Sequence, residues 1–514
     1  MKNPAVYIIG AGPGDPGLIT VRGLECLTLA DVVIYDHDVP SRLLKQARPG
    51  AELIDVGGEA RPPLAQDAVT FLLAEKARDG KLVARLKLGD PFVFDRGGEE
   101  ALFLHEQRIP FEVIPGVPLG IGVPAYAGIP VTYRGGGDTI TLVRGYGDEH
   151  RSVPDIDWAS LARLDGTIVC YAGAKQLTRI LESVLSKGWP ADEQGIVVYN
   201  GTSTSQQTVT GTVAELLADA REHPRSDTAI LVLGRVVGFR EHLRWFDARP
   251  LFGKRVLVTR PREQAAEMVD LLAKLGAETI EAPMIKIMPP EDLTPLRQAA
   301  ANAEQFDWIV FTSGNAVEAF MNALLEERDI RALSGPQLCA VGSGTAERLA
   351  RYGIKVDLVP DEFRAEAVLA ALKATGSLDG LRVLIPRADI GRDVIIDGLR
   401  VAGVLVTDVV AYRTVLDEAQ RDEGPDVYGM LLNEGIDVVT FTSPSAVRNF
   451  AAIYGTEQAV DLLSHTIVAA IGPVTADAAT RLGLAVAVQP STSSIAALVD
   501  AIAAHVSRSQ FASM

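Results

Sequence analysis

The sequence predicts an α/β protein in two halves, the second of them a duplicated, two-lobed parallel α/β unit. Three observations carry this. An apolar strand signal, Val6–Ile9, runs into a glycine-rich loop, Gly10-Ala-Gly-Pro-Gly-Asp-Pro-Gly17, and then a helical run from Leu18 to Ala30. That is the strand–loop–helix turn at which open α/β sheets bind ligands. Near residue 254 the pattern restarts: Phe246–Lys254 reads as a short linker, because Pro250 and Gly253 flank no periodic run, and Arg255–Arg260 opens a new strand. The third observation is an internal echo. Phe311-Thr-Ser-Gly-Asn-Ala-Val317 recurs as Phe441-Thr-Ser-Pro-Ser-Ala-Val447, and Val341-Gly-Ser-Gly-Thr-Ala346 as Ile471-Gly-Pro-Val-Thr-Ala476, both 130 positions on. Arg255-Val-Leu-Val-Thr-Arg260 returns as Arg382-Val-Leu-Ile-Pro-Arg387 at an offset of 127. Shared spacing of this kind points to duplication.

Composition narrows the function classes. A chain of 514 residues exceeds what one core supports, so three or four compact lobes are expected. The formal charge of −17 disfavours nucleic acid as a partner. No apolar run approaches 18 residues, which disfavours a membrane span. Met1-Lys-Asn-Pro leads straight into a strand, so no signal peptide and a cytoplasmic location are expected. Cys26, Cys170 and Cys339 are odd in number and set among apolar neighbours, as buried free thiols are. The seven histidines show no ligand spacing, so no metal is expected.

Taken in order, the Gly10 loop first suggests a dinucleotide site, with Asp36 after the strand Val32–Tyr35 as the ribose-binding acid. A G-x-G-x-x-G fingerprint from Gly10 needs glycine at position 15, where Asp15 stands. Pro13 and Pro16 also lack the N–H donors a pyrophosphate requires. In the second half, strands alternate with helices: Trp308–Phe311, the helix from Asn315, Leu338–Val341, then the helix from Thr345. Alternation predicts a parallel sheet with helices on both faces. The Phe-Thr-Ser and Gly-x-x-Thr-Ala segments both fall where a strand hands over to a helix N-terminus. Their free N–H groups and hydroxyls favour an anionic ligand. Ser, Thr and a helix start also make ordinary caps, and that alternative stays open for Thr345 and Thr475.

The loop at Gly10–Gly17 and the stretch Arg85-Leu-Lys-Leu-Gly-Asp-Pro-Phe-Val-Phe-Asp-Arg-Gly-Gly-Glu-Glu100 occur in order with Tyr35–Val39, Pro115–Val117 and Ala125–Arg134. Together they resemble the tetrapyrrole methyltransferases, most closely uroporphyrinogen-III C-methyltransferase, over residues 4 to 246. Val256–Gln264, the two repeats and Val410–Thr414 resemble uroporphyrinogen-III synthase over residues 254 to 508. The resemblance implies a two-lobed tetrapyrrole methylase fold (1–246, lobes 1–135 and 136–246), a linker (247–254) and the duplicated synthase fold (255–514). The synthase lobes would be 255–290 with 416–508, and 291–415. It implies S-adenosylmethionine as methyl donor against Pro13, Leu88, Gly89, Asp90, Pro118, Leu119, Tyr171, Ala172, Gly201, Thr202 and Ala229. No cofactor is implied for the synthase half. Arg96, Glu99 and Asp36 are the implied catalytic groups of the first half, with Arg96 better suited to clamp a carboxylate than to act as a base. For the second half, Tyr412 is implied to hydrogen-bond the leaving hydroxyl of hydroxymethylbilane. Arg260, Ser313, Thr345, Ser443 and Thr475 would hold side-chain carboxylates. Packing alone is the alternative for Tyr412, turn capping for Asp90, and a solvated first-turn acid for Glu99.

The implied chain is a bifunctional enzyme making precorrin-2 for siroheme or cobalamin, with tetrapyrroles as substrates and a homodimer through the first half. The sequence departs from the methyltransferase pattern at several places. Leu88 and Asp95 stand where the family has glycine, and Tyr133 and Tyr146 where it has histidine. Between Gly57 and Thr70 only Gln66 survives clearly, Glu59 inverts a charge and Arg61 alone is basic. These changes leave open an altered acceptor, weakened turnover, or a binding module for S-adenosylmethionine.

Overall fold

The computed structural model describes residues 4–57, 64–134, 139–146, 154–164, 166–225, 228–283, 285–360, 365–389, 394–416 and 425–512. The basic-stretch positions Glu59 and Arg61 lie outside them. The chain divides into two compact units between Gly253 and Lys254.

The first unit holds strands β1 (Val6–Gly10), β2 (Val32–Tyr35), β3 (Glu52–Asp55), β4 (Val83–Lys87) and β5 (Phe111–Ile114), then β6 (Thr139–Arg144), β7 (Gly166–Tyr171), β8 (Gln194–Tyr199), β9 (Gln207–Thr212) and β10 (Ala229–Leu233). The first five form a parallel sheet in the order β3-β2-β4-β1-β5. Its central strand β4 is buried along its whole length. The other five form a mixed sheet, β6-β7-β10-β8-β9. The stretch expected as a linker is instead packed on the first unit. Leu251 is buried, and Phe246 contacts Tyr126 and Phe252 with ring centroids 4.6 and 5.3 Å apart. A short Pro/Gly segment with two aromatics gains more by burying them than by staying extended.

The second unit holds β11 (Arg255–Val258), β12 (Glu278–Glu281), β13 (Ile285–Met288), β14 (Trp308–Phe311), β15 (Gln337–Ala340), β16 (Arg382–Ala388), β17 (Leu405–Leu416), β18 (Val438–Phe441), β19 (Ile467–Ala470) and β20 (Val486–Val488). Two sheets result, β12-β11-β18-β19-β20 and β13-β17-β16-β14-β15. Strand β13 pairs antiparallel with β17, so the residues near 285–288 belong with the second lobe rather than the first.

The duplication is visible strand by strand. The run β12-β11-β18-β19 in one sheet answers β17-β16-β14-β15 in the other. Ser313 and Ser443 cap the helices Gly314–Leu325 and Pro444–Tyr454, each accepting from the N–H three residues on at 3.2 Å. Behind them, Phe311–Phe320 and Phe441–Phe450 make matching edge-to-face pairs at 5.4 and 5.6 Å. Identical caps over identical ring pairs are what a copied strand–turn–helix retains.

Candidate functional sites

In the first unit, Gly10, Gly89 and Gly116 bring three strand ends together. A Cβ on Gly10 would lie 2.5 Å from Gly116 Cα, and one on Gly116 only 2.1 Å from the Gly89 carbonyl oxygen. Gly89 has φ +74° and exchanges backbone hydrogen bonds with Gly12 at 2.7 and 3.2 Å. Glycine is required here because backbones touch. Asp90 fixes the same corner: its carboxylate accepts from Phe92 N at 2.8 Å and from Gly116 N at 3.0 Å. Asp15, which broke the dinucleotide fingerprint, ties the loop to the second lobe. Its N–H donates to Thr202 Oγ1 at 3.1 Å, and its carboxylate accepts from Tyr126 Oη at 2.8 Å.

Beside this corner lies a cavity of about 420 Å³, a size ordinary for small-molecule sites. Of the residues expected to bind cofactor, Leu88, Leu119, Tyr171 and Ala229 line it, and so does Asp36. Tyr171 Oη also accepts from Gly120 N at 2.8 Å, which fixes its ring against the helix Leu119–Tyr126, where Pro118 is the N-cap. Ala172 is buried, its N–H bonded to the Ala229 carbonyl. Pro13 and Gly201 sit outside the lining and pack on that helix: a Cβ at Gly122 would meet Pro13, and one at Gly201 would meet Val123. Thr202 is buried with φ +67°, its N–H donating to Gln206. Arg96 is the N-cap residue of the helix Gly97–Glu106, and Glu99 is exposed in its first turn. Neither is among the lining residues.

Two of the lining residues, Asp36 and Asp95, belong to a buried ion cluster whose other members, Arg85, Lys87 and Glu100, had no role assigned from the sequence. Arg85 and Lys87 project from one face of β4, each 2% exposed, and Glu100 is fully buried. Glu100 Oε1 accepts from Arg85 Nε at 3.2 Å, Lys87 Nζ at 3.1 Å and Gln66 Nε2 at 3.2 Å. Arg85 also pairs with Asp36, and Lys87 with Asp95 at 3.1 Å. The available signal was two cations at i and i+2 in a strand otherwise fit for a core, since that spacing puts both on one face.

In the second unit a hydrogen-bond network of mostly uncharged groups joins the two lobes. Arg260 Nε and Nη2 donate to Gln264 Oε1 at 3.4 and 3.3 Å, and Gln264 Nε2 donates to Asn315 Oδ1. Tyr412 Oη and Ser313 Oγ share a hydrogen bond of 3.1 Å. The register of β17 against β16 skips Ala411, pairing Arg387 with Val410 and Ala388 with Tyr412. A bulge of this kind re-aims the next side chain. Burial pushes the Tyr412 phenol above its ordinary value, opposed by Ser313 and Asn315. Burial also lowers Arg260, with Arg348 adding to it and Glu267 opposing. Thr345 and Thr475 are buried at matching helix starts, but Gly342 and Gly472 hold the cap positions. Simple capping therefore does not account for either threonine. Ser443 bonds Ser445 at 3.3 Å. The structure thus links Arg260, Ser313 and Tyr412 through Gln264 and Asn315, and among the described residues no hydrogen bond carries Ser443, Thr345 or Thr475 into that chain.

Among the described residues no group of three or more His, Cys, Asp or Glu is placed to hold a metal ion, and no helix is long and apolar enough to cross a membrane. Cys26, Cys170 and Cys339 are buried free thiols.

The α/β unit with a glycine-tight corner beside a cavity and the duplicated two-lobed unit that follows it match two different protein families. Residues 5–217 match the tetrapyrrole (corrin/porphyrin) methylases, and residues 266–500 match uroporphyrinogen-III synthase HemD. The chain is 36% identical to porphyrin biosynthesis protein HemD of Ruminiclostridium josui, over 94% of this chain and 95% of that one. It is also 36% identical to uroporphyrinogen-III C-methyltransferase of Bacillus subtilis, covering 74% and 78% of the two chains. Among solved structures, the Thermus thermophilus uroporphyrin-III C-methyltransferase complexed with S-adenyl homocysteine is 35% identical, covers 45% of this chain and 98% of that one, and has a TM-score of 0.39. The chain belongs to the tetrapyrrole methylase family through its first unit and to the uroporphyrinogen-III synthase family through its second.

Proposed function

We propose that the chain is a bifunctional enzyme of tetrapyrrole biosynthesis. Its second unit closes hydroxymethylbilane to uroporphyrinogen III, and its first methylates that product to precorrin-2 with S-adenosylmethionine, toward siroheme or cobalamin. The reading extends to a cytoplasmic enzyme, a homodimer through the first unit, and a synthase that needs no cofactor. The observation that carries it is a relative named for porphyrin biosynthesis that aligns across both units in the same order.

The first cavity suits the donor in size, and its wall of Leu88, Phe94, Leu119 and Tyr171 suits an adenosine. When bound there, S-adenosylmethionine supplies a methyl group on a positively charged sulfur. Leu88, Leu119, Tyr171 and Ala229 would hold the donor, while the Gly89 and Gly116 backbones shape the corner beside it. Lys175, also in the lining, would meet an acceptor carboxylate. The residues chiefly position the two reactants and exclude water. In the second unit Ser313 orients the Tyr412 hydroxyl, which would assist departure of the substrate hydroxyl. Arg260, with Ser313, Thr345, Ser443 and Thr475, would hold the bilane carboxylates.

Purified protein given hydroxymethylbilane tests the reading. Uroporphyrinogen III is expected without donor, and a product two methyl groups heavier with it. Formation of the uninverted isomer alone would remove the synthase, and failure to incorporate methyl would remove the methyltransferase.

A further inference from the structure

Two carboxylates line the first cavity, Asp36 and Asp95. Both reach the same buried ammonium: Lys87 Nζ is 3.1 Å from Asp95 and 3.9 Å from Asp36. With Glu100 the cluster contains three carboxylates against the two cations Arg85 and Lys87. An uncompensated buried charge is costly, so a proton offered to the cluster is readily accepted. Only Asp36 and Asp95 of the three line the cavity and can meet a bound molecule, and their contacts differ. Glu100 lies outside the cavity lining, its Oε1 held by both cations and its buried Oε2 without a hydrogen bond among the described residues, and Asp36 is paired to Arg85 with Lys87 nearby. Among the described residues Asp95 forms an ion pair with Lys87 only, and its Oδ1 also accepts from Arg96 N at 2.6 Å. Tyr146, Tyr171 and Lys175 line the same cavity, where Tyr146 Oη donates to the Phe94 carbonyl at 3.1 Å and Tyr171 Oη accepts from Gly120 N.

We infer that Asp95 is the proton acceptor of the first cavity, and that Asp36, locked to Arg85, serves there as a fixed negative charge. This rests on the methyltransferase reading. Methyl transfer from a sulfonium to a ring carbon leaves the sulfur neutral, keeping the pair of the broken bond, and leaves the ring cationic. The ring returns to neutrality by giving one proton to the Asp95 carboxylate, which becomes a neutral acid and releases that proton to solvent. The two environments separate the roles. Burial pushes the Asp95 carboxyl up, Lys87 opposes this and Asp36 adds to it. Burial also works against ionised Asp36, but Arg85 and Lys87 prevail and hold it below the usual range. A base is most effective when its pKa approaches the working pH, and paired carboxylates pushed apart divide their duties.

The test compares wild-type protein with Asp95→Asn and Asp95→Glu. In wild type, kcat/KM for methylation of uroporphyrinogen III should rise with pH through an acidic limb. Asp95→Asn should lower it about 100-fold or more and abolish that limb, while Asp95→Glu restores most of the rate. Calorimetric affinity for S-adenosylhomocysteine should be unchanged in both variants. The infrared difference spectrum between acidic and basic pH should show a protonated-carboxyl band that Asp95→Asn removes. Active Asp95→Asn with the limb intact, an unchanged carboxyl band, or a loss shared by ligand affinity would overturn the inference and leave the methyltransferase reading standing. Wild-type protein that fails to methylate would end both.

Discussion

The two candidate sites solve opposite problems with opposite materials. The first is built on charge: Arg85, Lys87 and Glu100 are almost wholly withdrawn from water, and the Asp36 and Asp95 that pair with the two cations line the cavity. The second is joined largely by uncharged groups, Ser313, Tyr412, Gln264 and Asn315, with Arg260 at one end. Buried ion clusters set protonation states firmly, because unpairing one member strands the rest. Neutral networks fix geometry with little electrostatic cost. A reaction that must move a proton suits the former, and one that must fold a flexible polyanion around a leaving hydroxyl suits the latter.

Breaking the charged site should have the largest effect. Lys87→Met leaves Asp95 and Glu100 short of a partner, and removing one member of a buried ion cluster costs about 3–5 kcal/mol. The melt of the full chain should show the first unit's transition falling well below that of the second; an unshifted transition would mean that the cluster is already relaxed by solvent. The neutral site should fail in rate before it fails in stability. Tyr412→Phe removes one hydrogen bond worth about 1.5–3 kcal/mol at a polar transition state, so closure should slow about 10- to 150-fold. More bilane should then cyclise spontaneously to the uninverted isomer, with the melt little changed.

The duplicated lobes sharpen the contrast. Ser313→Ala and Ser443→Ala each remove a helix cap worth about 1 kcal/mol, so both should lower the second unit's melt alike. Only Ser313 touches Tyr412, so Ser313→Ala alone should raise the share of uninverted isomer. Equal isomer ratios would reduce the serines to caps. The smallest effect is expected at the cavity wall. Leu88→Gly empties volume next to the expected donor, and calorimetry should find modestly tighter S-adenosylhomocysteine binding; weaker binding would show that the wall is fitted to leucine.

The sequence made the architecture legible where repetition or loop chemistry marked it. The 130-residue echo anticipated paired strands, caps and aromatic pairs, because a copied strand–turn–helix keeps all three in register. The Gly10 loop was legible because proline and aspartate visibly break a pyrophosphate cradle. What stayed hidden was tertiary. Arg85 and Lys87 look like solvated strand charges until three carboxylates from other elements close over them. The bulge that aims Tyr412 depends on pairing between β16 and β17, which local sequence does not specify. Arg96 and Glu99 sit in a memorable motif, yet it is the neighbouring Asp95 that lines the cavity and not they. Phe246–Gly253 has a linker's composition, but its aromatics find a surface.

The most direct test of two chemically separate sites is to give the Tyr412→Phe protein either hydroxymethylbilane or uroporphyrinogen III, with methyl donor present, and measure methyl incorporation from each. The account predicts wild-type methylation of uroporphyrinogen III and a severalfold or greater deficit from the bilane. Equal loss from both substrates would contradict it, because the neutral network would then serve both reactions.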